Sequence, residues 1–321
     1  MTATKARGQR TAARSHLHHY LSVKDLSAKQ TLDLLHLARD LKRDHVRGRD
    51  EPRLAGKTLA MIFQKPSLRT RVSFEAGMTH LGGHAIYLGP DDIKLGARET
   101  TEDIALVLSR MADLIMARVF SHDIVVELAK WARVPVINGL SDREHPCQCL
   151  GDLLTILERK ERVDGLKLVF VGDGNNVAHS LLYGGALLGM DVTVACPKGY
   201  EPSRTVLADS KTLARASGAT LAVQADPRAA VVGADVVYTD VWASMGQEDE
   251  AAKRKNDFKG YQVNDALMKL AKRDAIILHC LPAHYGEELD YRTSRTPNSA
   301  IIDQAENRLH AQKALMVMLA G

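Results

Sequence analysis

The apolar positions of this chain switch between two periods along most of its length. Short runs in which nearly every residue is apolar read as buried strands. Between them apolar residues recur three and four apart, as on one face of a helix. Ser27-Ala-Lys-Gln30 is a capping box, and the helix behind it carries Leu34, Leu35, Ala38 and Leu41 on its apolar side. The pattern then predicts strand 57–63, helix 68–81 (with Val72, Phe74, Met78 and Leu81 on its apolar face), strand 84–88, helix 100–112, strand 113–118, helix 121–132 and strand 134–138. A helix over 147–159 is read as the connection to a second alternating set. That set runs strand 166–171, helix 176–188, strand 190–195, helix 203–216, strand 218–223, helix 226–232, strand 235–239 and strand 275–279, before a last amphipathic helix over 304–319. Strands and helices alternating at this spacing make βαβ units. The expected fold class is therefore α/β, with two domains that each hold a central, mostly parallel sheet flanked by helices. The expected boundaries are a flexible tail over 1–18, a first domain over 19–147, a second over 148–303 and the C-terminal helix over 304–321. A polar, charge-rich stretch at 243–259 interrupts the second set and reads as disordered or as a moving lid.

Composition narrows the class. With 321 residues, 45% apolar and 26% charged, the chain is long enough for two domains, each with its own core. The net charge of +4 comes partly from the first eighteen residues, which carry Lys5, Arg7, Arg10 and Arg14 and no acid. That segment reads as a tail, with an organellar transit peptide as the alternative. No apolar run is long enough to span a membrane, and no basic stripe interleaved with aromatics argues for nucleic acid. The four cysteines, Cys147, Cys149, Cys196 and Cys280, are too few for a disulfide framework and fit free thiols in a reducing cytoplasm. His145, Cys147 and Cys149 lack the paired spacing of a structural zinc site, and the cysteines read as half-buried at a helix start.

The candidate chemistry begins at Ser67-Leu68-Arg69-Thr70-Arg71, between a buried strand and an amphipathic helix. Ser67 stands where an N-cap belongs, beside unbonded backbone N–H groups and the positive end of the helix dipole. Two guanidiniums and two hydroxyls in that turn suit a doubly charged oxyanion. Arg118 and His279-Cys280-Leu281-Pro282 each close a predicted strand, at the edge where α/β sheets collect ligands. Gly172-Asp173-Gly174 opens like a dinucleotide fingerprint, but Val177 stands where its third glycine belongs.

Taken in order, the Ser67 turn, His145-Pro146-Cys147-Gln148, Gly172-Asp173-Gly174-Asn175-Asn176, Asp240-Val-Trp-Ala-Ser244-Met245-Gly246 and His279-Cys280-Leu281-Pro282 resemble the aspartate/ornithine carbamoyltransferase family. The likeness runs from about Tyr20 to the C-terminus, and five separated motifs in order are far more specific than any one. It implies that the last helix returns to the first domain, which would bind carbamoyl phosphate, while the second would bind the amino-acid acceptor. The implied reaction moves the carbamoyl group of carbamoyl phosphate to the δ-amino group of L-ornithine, giving L-citrulline and phosphate, with no metal or organic cofactor. On this resemblance Ser67, Leu68 (through its backbone N–H), Arg69, Thr70, Arg118 and Arg308 hold the phosphate end. His145 holds the carbonyl oxygen of the carbamoyl group and the Gln148 amide its nitrogen, and Arg118, His145 and Thr70 face the developing oxyanion. Asn176, Asp240, Ser244, Met245, Cys280 and Leu281 receive ornithine, Asp240 at its α-ammonium and Cys280 beside its δ-amino group. Leu68 replaces a threonine common in the family. Lys94, which would bind carbamoyl phosphate as a cation near its phosphate, replaces a histidine or glutamine, on a loop that in the family reaches the neighbouring subunit of a catalytic trimer. The Leu281–Pro282 bond resembles one that is cis in the family.

Three rival readings remain at the level of sequence. Another acceptor (N-acetylornithine, putrescine or aspartate) would keep the phosphate site. A nucleotide-binding oxidoreductase would use Gly172-Asp173-Gly174, and a non-catalytic relative would only bind an anion. Cys280 as a covalent nucleophile is set aside because its adjacent His279 points away on a strand.

Overall fold

The computed structural model describes residues 18–93, 98–244, 246 and 248–321. The segment read as a tail lies outside the described residues except for His18, and so do Lys94 and Met245.

Two parallel sheets organise the chain, so the α/β expectation holds. The first has the order β2-β1-β3-β4, built from β1 (Thr58–Phe63), β2 (His84–Leu88), β3 (Leu114–Arg118) and β4 (Val136–Leu140). Around it lie α1 (Ala28–Val46), α2 (Leu68–His80), the short α3 (Pro90–Ile93), α4 (Thr101–Leu108) and α5 (His122–Trp131). Helix α6 (Pro146–Lys160) leads to the second sheet, of order β7-β6-β5-β8-β9. Its strands are β5 (Lys167–Val171), β6 (Asp191–Ala195), β7 (Leu221–Gln224), β8 (Val236–Thr239) and β9 (Ile276–His279). The helices here are α7 (Asn176–Leu188), α8 (Arg204–Ser217), α9 (Pro227–Val231), α10 (Ala251–Asp257) and α11 (Asp265–Met268), and α12 (Ile301–Ala320) ends the chain.

In each sheet the strand order reverses beside its first strand, between β1 and β3 and between β5 and β8. Loops leaving neighbouring strands diverge there and open a crevice at the C-terminal edge. The Ser67 turn and Arg118 leave the first sheet at that point, in register through the Phe63–Arg118 pair. Asp173 and Asp240 leave the second.

The largest apolar cluster is not confined to either sheet. It joins Leu34, Met61 and Phe74 on one side to Phe170, Leu182 and Tyr238 on the other, through Leu150, Leu153, Leu315 and Met316. Helix α6 explains this continuity: every residue from Pro146 to Leu157 is buried, so it packs on all sides. As the resemblance implies, α12 returns to pack on α1, α2 and α6.

Three expectations need correction. Val72, read as a core position of α2, is 53% exposed. Cys147 and Cys149 are fully buried rather than half-buried, because both faces of α6 are covered. The polar stretch at 243–259 is not structureless: it holds α10, pinned by a buried arginine.

Candidate active site

Ser67 caps α2 as its sequence predicts, its Oγ accepting the Thr70 backbone N–H at 3.3 Å. The Thr70 side chain is wholly buried, and three donors converge on its Oγ1: Ser67 Oγ at 3.1 Å, Arg308 Nη2 at 2.9 Å and Arg118 Nη1 at 3.5 Å. The two guanidinium donors can fill its two lone pairs, which leaves the hydroxyl proton to donate to a ligand. The Leu68 side chain is 73% exposed.

Arg69, Arg118 and Arg308 come from α2, β3 and α12, and none pairs with a carboxylate among the described residues. Each guanidinium is destabilised chiefly by burial, and mutual repulsion adds to this at Arg118 and Arg308. Buried like charges are costly without a counter-ion, so the arrangement is complementary to an anion.

His145 closes the ring from the N-terminus of α6. Its backbone N–H donates to Ser180 Oγ at 2.9 Å, while its buried Nδ1 has no hydrogen-bond partner among the described residues. Burial, then Arg308, Arg118 and Arg69, drive its pKa well below the ordinary value, so the imidazole is neutral at neutral pH. Gln148, one turn on, is buried with Nε2 bonded to Asp152 Oδ1 at 2.8 Å and Oε1 unpartnered among the described residues.

The opposite wall comes from the second sheet. Asp240 follows β8, and its Oδ1 accepts the Cys280 thiol at 3.0 Å and its Oδ2 the Asn175 amide at 2.8 Å. Burial, and then Asp240, push the Cys280 thiol far above its usual range, so it stays protonated. Ligating atoms of Asp240, His279 and Cys280 lie within 4.8 Å of one another, closer than strand alternation alone suggests. Both His279 nitrogens are engaged, however: Nε2 with Glu288 at 3.1 Å and Nδ1 accepting the Leu281 N–H at 2.8 Å. No ring nitrogen is left to deprotonate the thiol. Leu281 has φ 57° and precedes a cis proline bond, the bond the resemblance implied. Asp240 and Cys280 both act electrostatically on Arg69, so the two walls face one another.

Beside this junction a cleft of about 460 Å³ is lined by Lys65, Asp173, Asn176, Ser244, Lys253 and Arg254. Asn176 Nδ2 donates to the Ser141 carbonyl at 2.7 Å, which ties the second sheet's first helix to the loop after β4. Cys147 and Cys149 donate to separate carbonyls, of Asn138 and Ser180, rather than converging on one ligand point with His145.

Sequence reasoning passed over Asn175, Asp152 and Gln304. Asn175 had a legible signal, since an asparagine before a helix is a natural cap, and it does cap α7. Asp152 and Gln304 had none, because only the tertiary fold brings them together.

The comparisons agree with this geometry. Residues 18–158 match the family profile described as aspartate/ornithine carbamoyltransferase, carbamoyl-P binding domain, and residues 164–319 match the Asp/Orn binding domain of the same family. An ornithine carbamoyltransferase of Anoxybacillus flavithermus is 54% identical over 300 residues, 94% of this chain and 96% of the relative. An anabolic ornithine carbamoyltransferase of Pyrococcus furiosus is 54% identical over 301 residues, with the same shares. Among solved structures, ornithine carbamoyltransferase from Pyrococcus furiosus superposes with a TM-score of 0.93 at 53% identity, covering 95% of this chain and 97% of that one. The Gloeobacter violaceus enzyme of that name gives 0.85 at 45% identity, covering 95% and 99%. Both family domains, matched in order and together spanning most of the chain, mean that the chain belongs to the aspartate/ornithine carbamoyltransferase family.

Proposed function

We propose that this chain is an ornithine carbamoyltransferase, moving the carbamoyl group of carbamoyl phosphate to the δ-amino group of L-ornithine to give L-citrulline and phosphate. The observation that carries this reading is the pairing of opposite walls. Among the described residues Arg69, Arg118 and Arg308 form no ion pair with a carboxylate on one side, and Asp240 with the Cys280 thiol stands on the other.

In this reading the phosphate end of carbamoyl phosphate binds first, against the Ser67 turn and the three guanidiniums. The Thr70 hydroxyl, the neutral His145 imidazole and Arg118 meet the carbonyl oxygen. Ornithine follows, held by Asn176, Asp240, Ser244 and Met245, with its δ-amino group beside Cys280 and Leu281. The neutral amine attacks the carbonyl carbon, the oxyanion is stabilised by donors already in place, the C–O bond to phosphate breaks, and the proton shed by the nitrogen passes to the departing phosphate. The leaving group's charge is already met by Arg69 and Arg118. The α10 segment closes over the cleft, excluding water from a labile acyl phosphate. The rate rises toward alkaline pH, because the amine must shed its proton before attack.

Aspartate as acceptor is disfavoured by Asp240, which would face the acceptor's second carboxylate. The homotrimer implied by the resemblance, with the Lys94 loop crossing between subunits, is supported by exposed apolar side chains on adjacent elements. These are Leu68 and Val72 on α2 and Ile86 on the edge strand β2. Four free, buried cysteines suit a cytoplasmic setting, and no helix among the described residues is long and apolar enough to cross a membrane.

Ureido-product formation from carbamoyl phosphate, with L-ornithine, N-acetylornithine, putrescine and L-aspartate as parallel acceptors, tests the reading. Turnover confined to ornithine is expected. Turnover with another acceptor would keep the phosphate site and overturn the acceptor assignment.

A further inference from the structure

Asp152 lies on α6, one turn beyond Gln148, and is fully buried. Its Oδ1 accepts two amide donors, Gln148 Nε2 at 2.8 Å and Gln304 Nε2 at 2.6 Å. The two ends of a side-chain amide look alike, so the polarity of such a chain must be set by groups whose roles cannot reverse. Two are present. The backbone N–H of His279 donates to Gln304 Oε1 at 2.8 Å, which obliges Gln304 to turn its NH₂ toward Asp152. The carboxylate oxygen can only accept from an amide, which obliges Gln148 to do the same. What Gln148 has left is Oε1, buried and without a partner among the described residues, three residues from the unpartnered Nδ1 of His145.

We infer that Asp152 is a positioning residue that fixes Gln148 with its acceptor oxygen toward the ligand, so that the site selects an acyl phosphate bearing N–H over one bearing a methyl group. This rests on the carbamoyl-transfer reading above. Carbamoyl and acetyl phosphate share their charge and nearly their shape, and differ as NH₂ against CH₃. A buried acceptor is satisfied only by the first, and rejection of a partner that leaves a buried polar group unpaired is the strong form of discrimination. With the Gln148 amide reversed, NH₂ would face NH₂ and the preference would be lost. Burial pushes the Asp152 carboxyl up to about 7. While ionised the carboxylate can only accept, and it is in this state that it fixes the Gln148 amide. The chain of amides also means that the polarity at α6 is anchored at the end of β9, in the other sheet.

The test compares wild type, Asp152→Leu and Asp152→Asn. For each, kcat/KM for carbamoyl phosphate is measured at saturating L-ornithine, with competitive Ki values for acetyl phosphate and inorganic phosphate. Asp152→Leu is expected to lose about tenfold or more in kcat/KM, while both Ki values move by less than about threefold. Asp152→Asn, which keeps an acceptor oxygen, is expected to hold the wild-type ratio. Equal weakening of all three ligands would mean packing alone and would overturn the inference, as would an unchanged ratio in the Leu variant. A wild type that makes no citrulline would sink the carbamoyl-transfer reading itself. Should Asp152→Leu not fold, a neutron structure of the wild type with phosphonoacetamide decides. Gln148 deuterons directed at Asp152 are expected, and deuterons directed at the ligand would overturn the inference.

Discussion

Arg308 and Thr70 are 238 residues apart in sequence, yet Nη2 of the one donates to Oγ1 of the other at 2.9 Å. The last helix therefore completes the first turn of α2, and the anion site exists only once α12 has docked. Arg308 is also fully buried beside Arg118, and among the described residues no carboxylate forms an ion pair with either, Asp152 acting on Arg308 only through its field. A residue kept in such a place serves a ligand at some expense to the fold.

The variant Arg308→Met should separate those two effects. Loss of charge-assisted contacts to the phosphate should lower kcat/KM for carbamoyl phosphate on the order of a hundredfold. Relief of repulsion should leave the ligand-free melting temperature at or above that of the wild type. The shift produced by added phosphate should shrink in the variant, since that shift reports binding to the folded state. A variant that melts lower and still gains the full phosphate shift would make Arg308 a structural residue instead.

Cys280 should behave as a poor nucleophile. Its thiol is buried and shares its proton with Asp240, so labelling by iodoacetamide at pH 7.5 should be slower than for a free thiol, on the order of tenfold to a hundredfold. Cys280→Ala should keep measurable citrulline synthesis, because no bond to sulfur is needed. A carbamoylated cysteine trapped by mass spectrometry during turnover would rule out the direct-attack mechanism.

The contrast between these residues shows what a sequence discloses. Ser67, Arg118 and Cys280 were legible because each follows a recognisable strand, and the strand's C-terminal end states where its last side chain goes. The expected strand 134–138 begins and ends two residues before β4. The Asn138 amide bonds the Leu21 carbonyl and Ser141 Oγ, and the strand runs on to Leu140. Helix α10 was missed for a related reason. Its polar sequence has no apolar face to detect, and its anchor is an arginine whose partner, Asp173, lies 81 residues away. Asp152 and Gln304 were invisible altogether, since a polar residue on a helix means nothing until its neighbour across the interface is known.

Glu144 should give stability a pH dependence of its own. Burial pushes its carboxyl up to about 7 from an ordinary 4.5, although Val23 N–H donates to it at 3.1 Å. Between those values the unfolded chain has released this proton and the folded chain still holds it. Raising pH through that window therefore favours unfolding, and the effect levels off above about 7. The span corresponds to at most about 3 kcal/mol. Glu144→Gln stays neutral throughout, so its stability relative to wild type should rise from pH 5 to pH 8. Urea unfolding at the two pH values measures this, and an identical difference at both would refute it.

Arg254 and Asp173 should act as one unit in holding α10 over the cleft. The Arg254 guanidinium donates to Asp173 Oδ2 at 2.8 Å, to the Trp242 carbonyl at 2.9 Å and to Glu250 at 2.9 Å, and lies 5.0 Å over the Tyr200 ring. Asp173 opens the loop that leads to Asn175 and Asn176, so the same contact ties the candidate lid to the acceptor wall. Removing Arg254 alone strands a mostly buried carboxylate, a change that typically costs about 3–5 kcal/mol when the pair is fully enclosed. Arg254→Met should therefore raise KM for ornithine about tenfold and speed proteolysis within 248–257, with kcat less affected. Asp173→Asn added to Arg254→Met should recover part of both losses, because no uncompensated charge is left. The double-mutant cycle on KM and cleavage rate reads the coupling directly. If the two substitutions simply add, the ion pair does not hold the lid, and the contacts to Trp242 and Glu250 must do so without it.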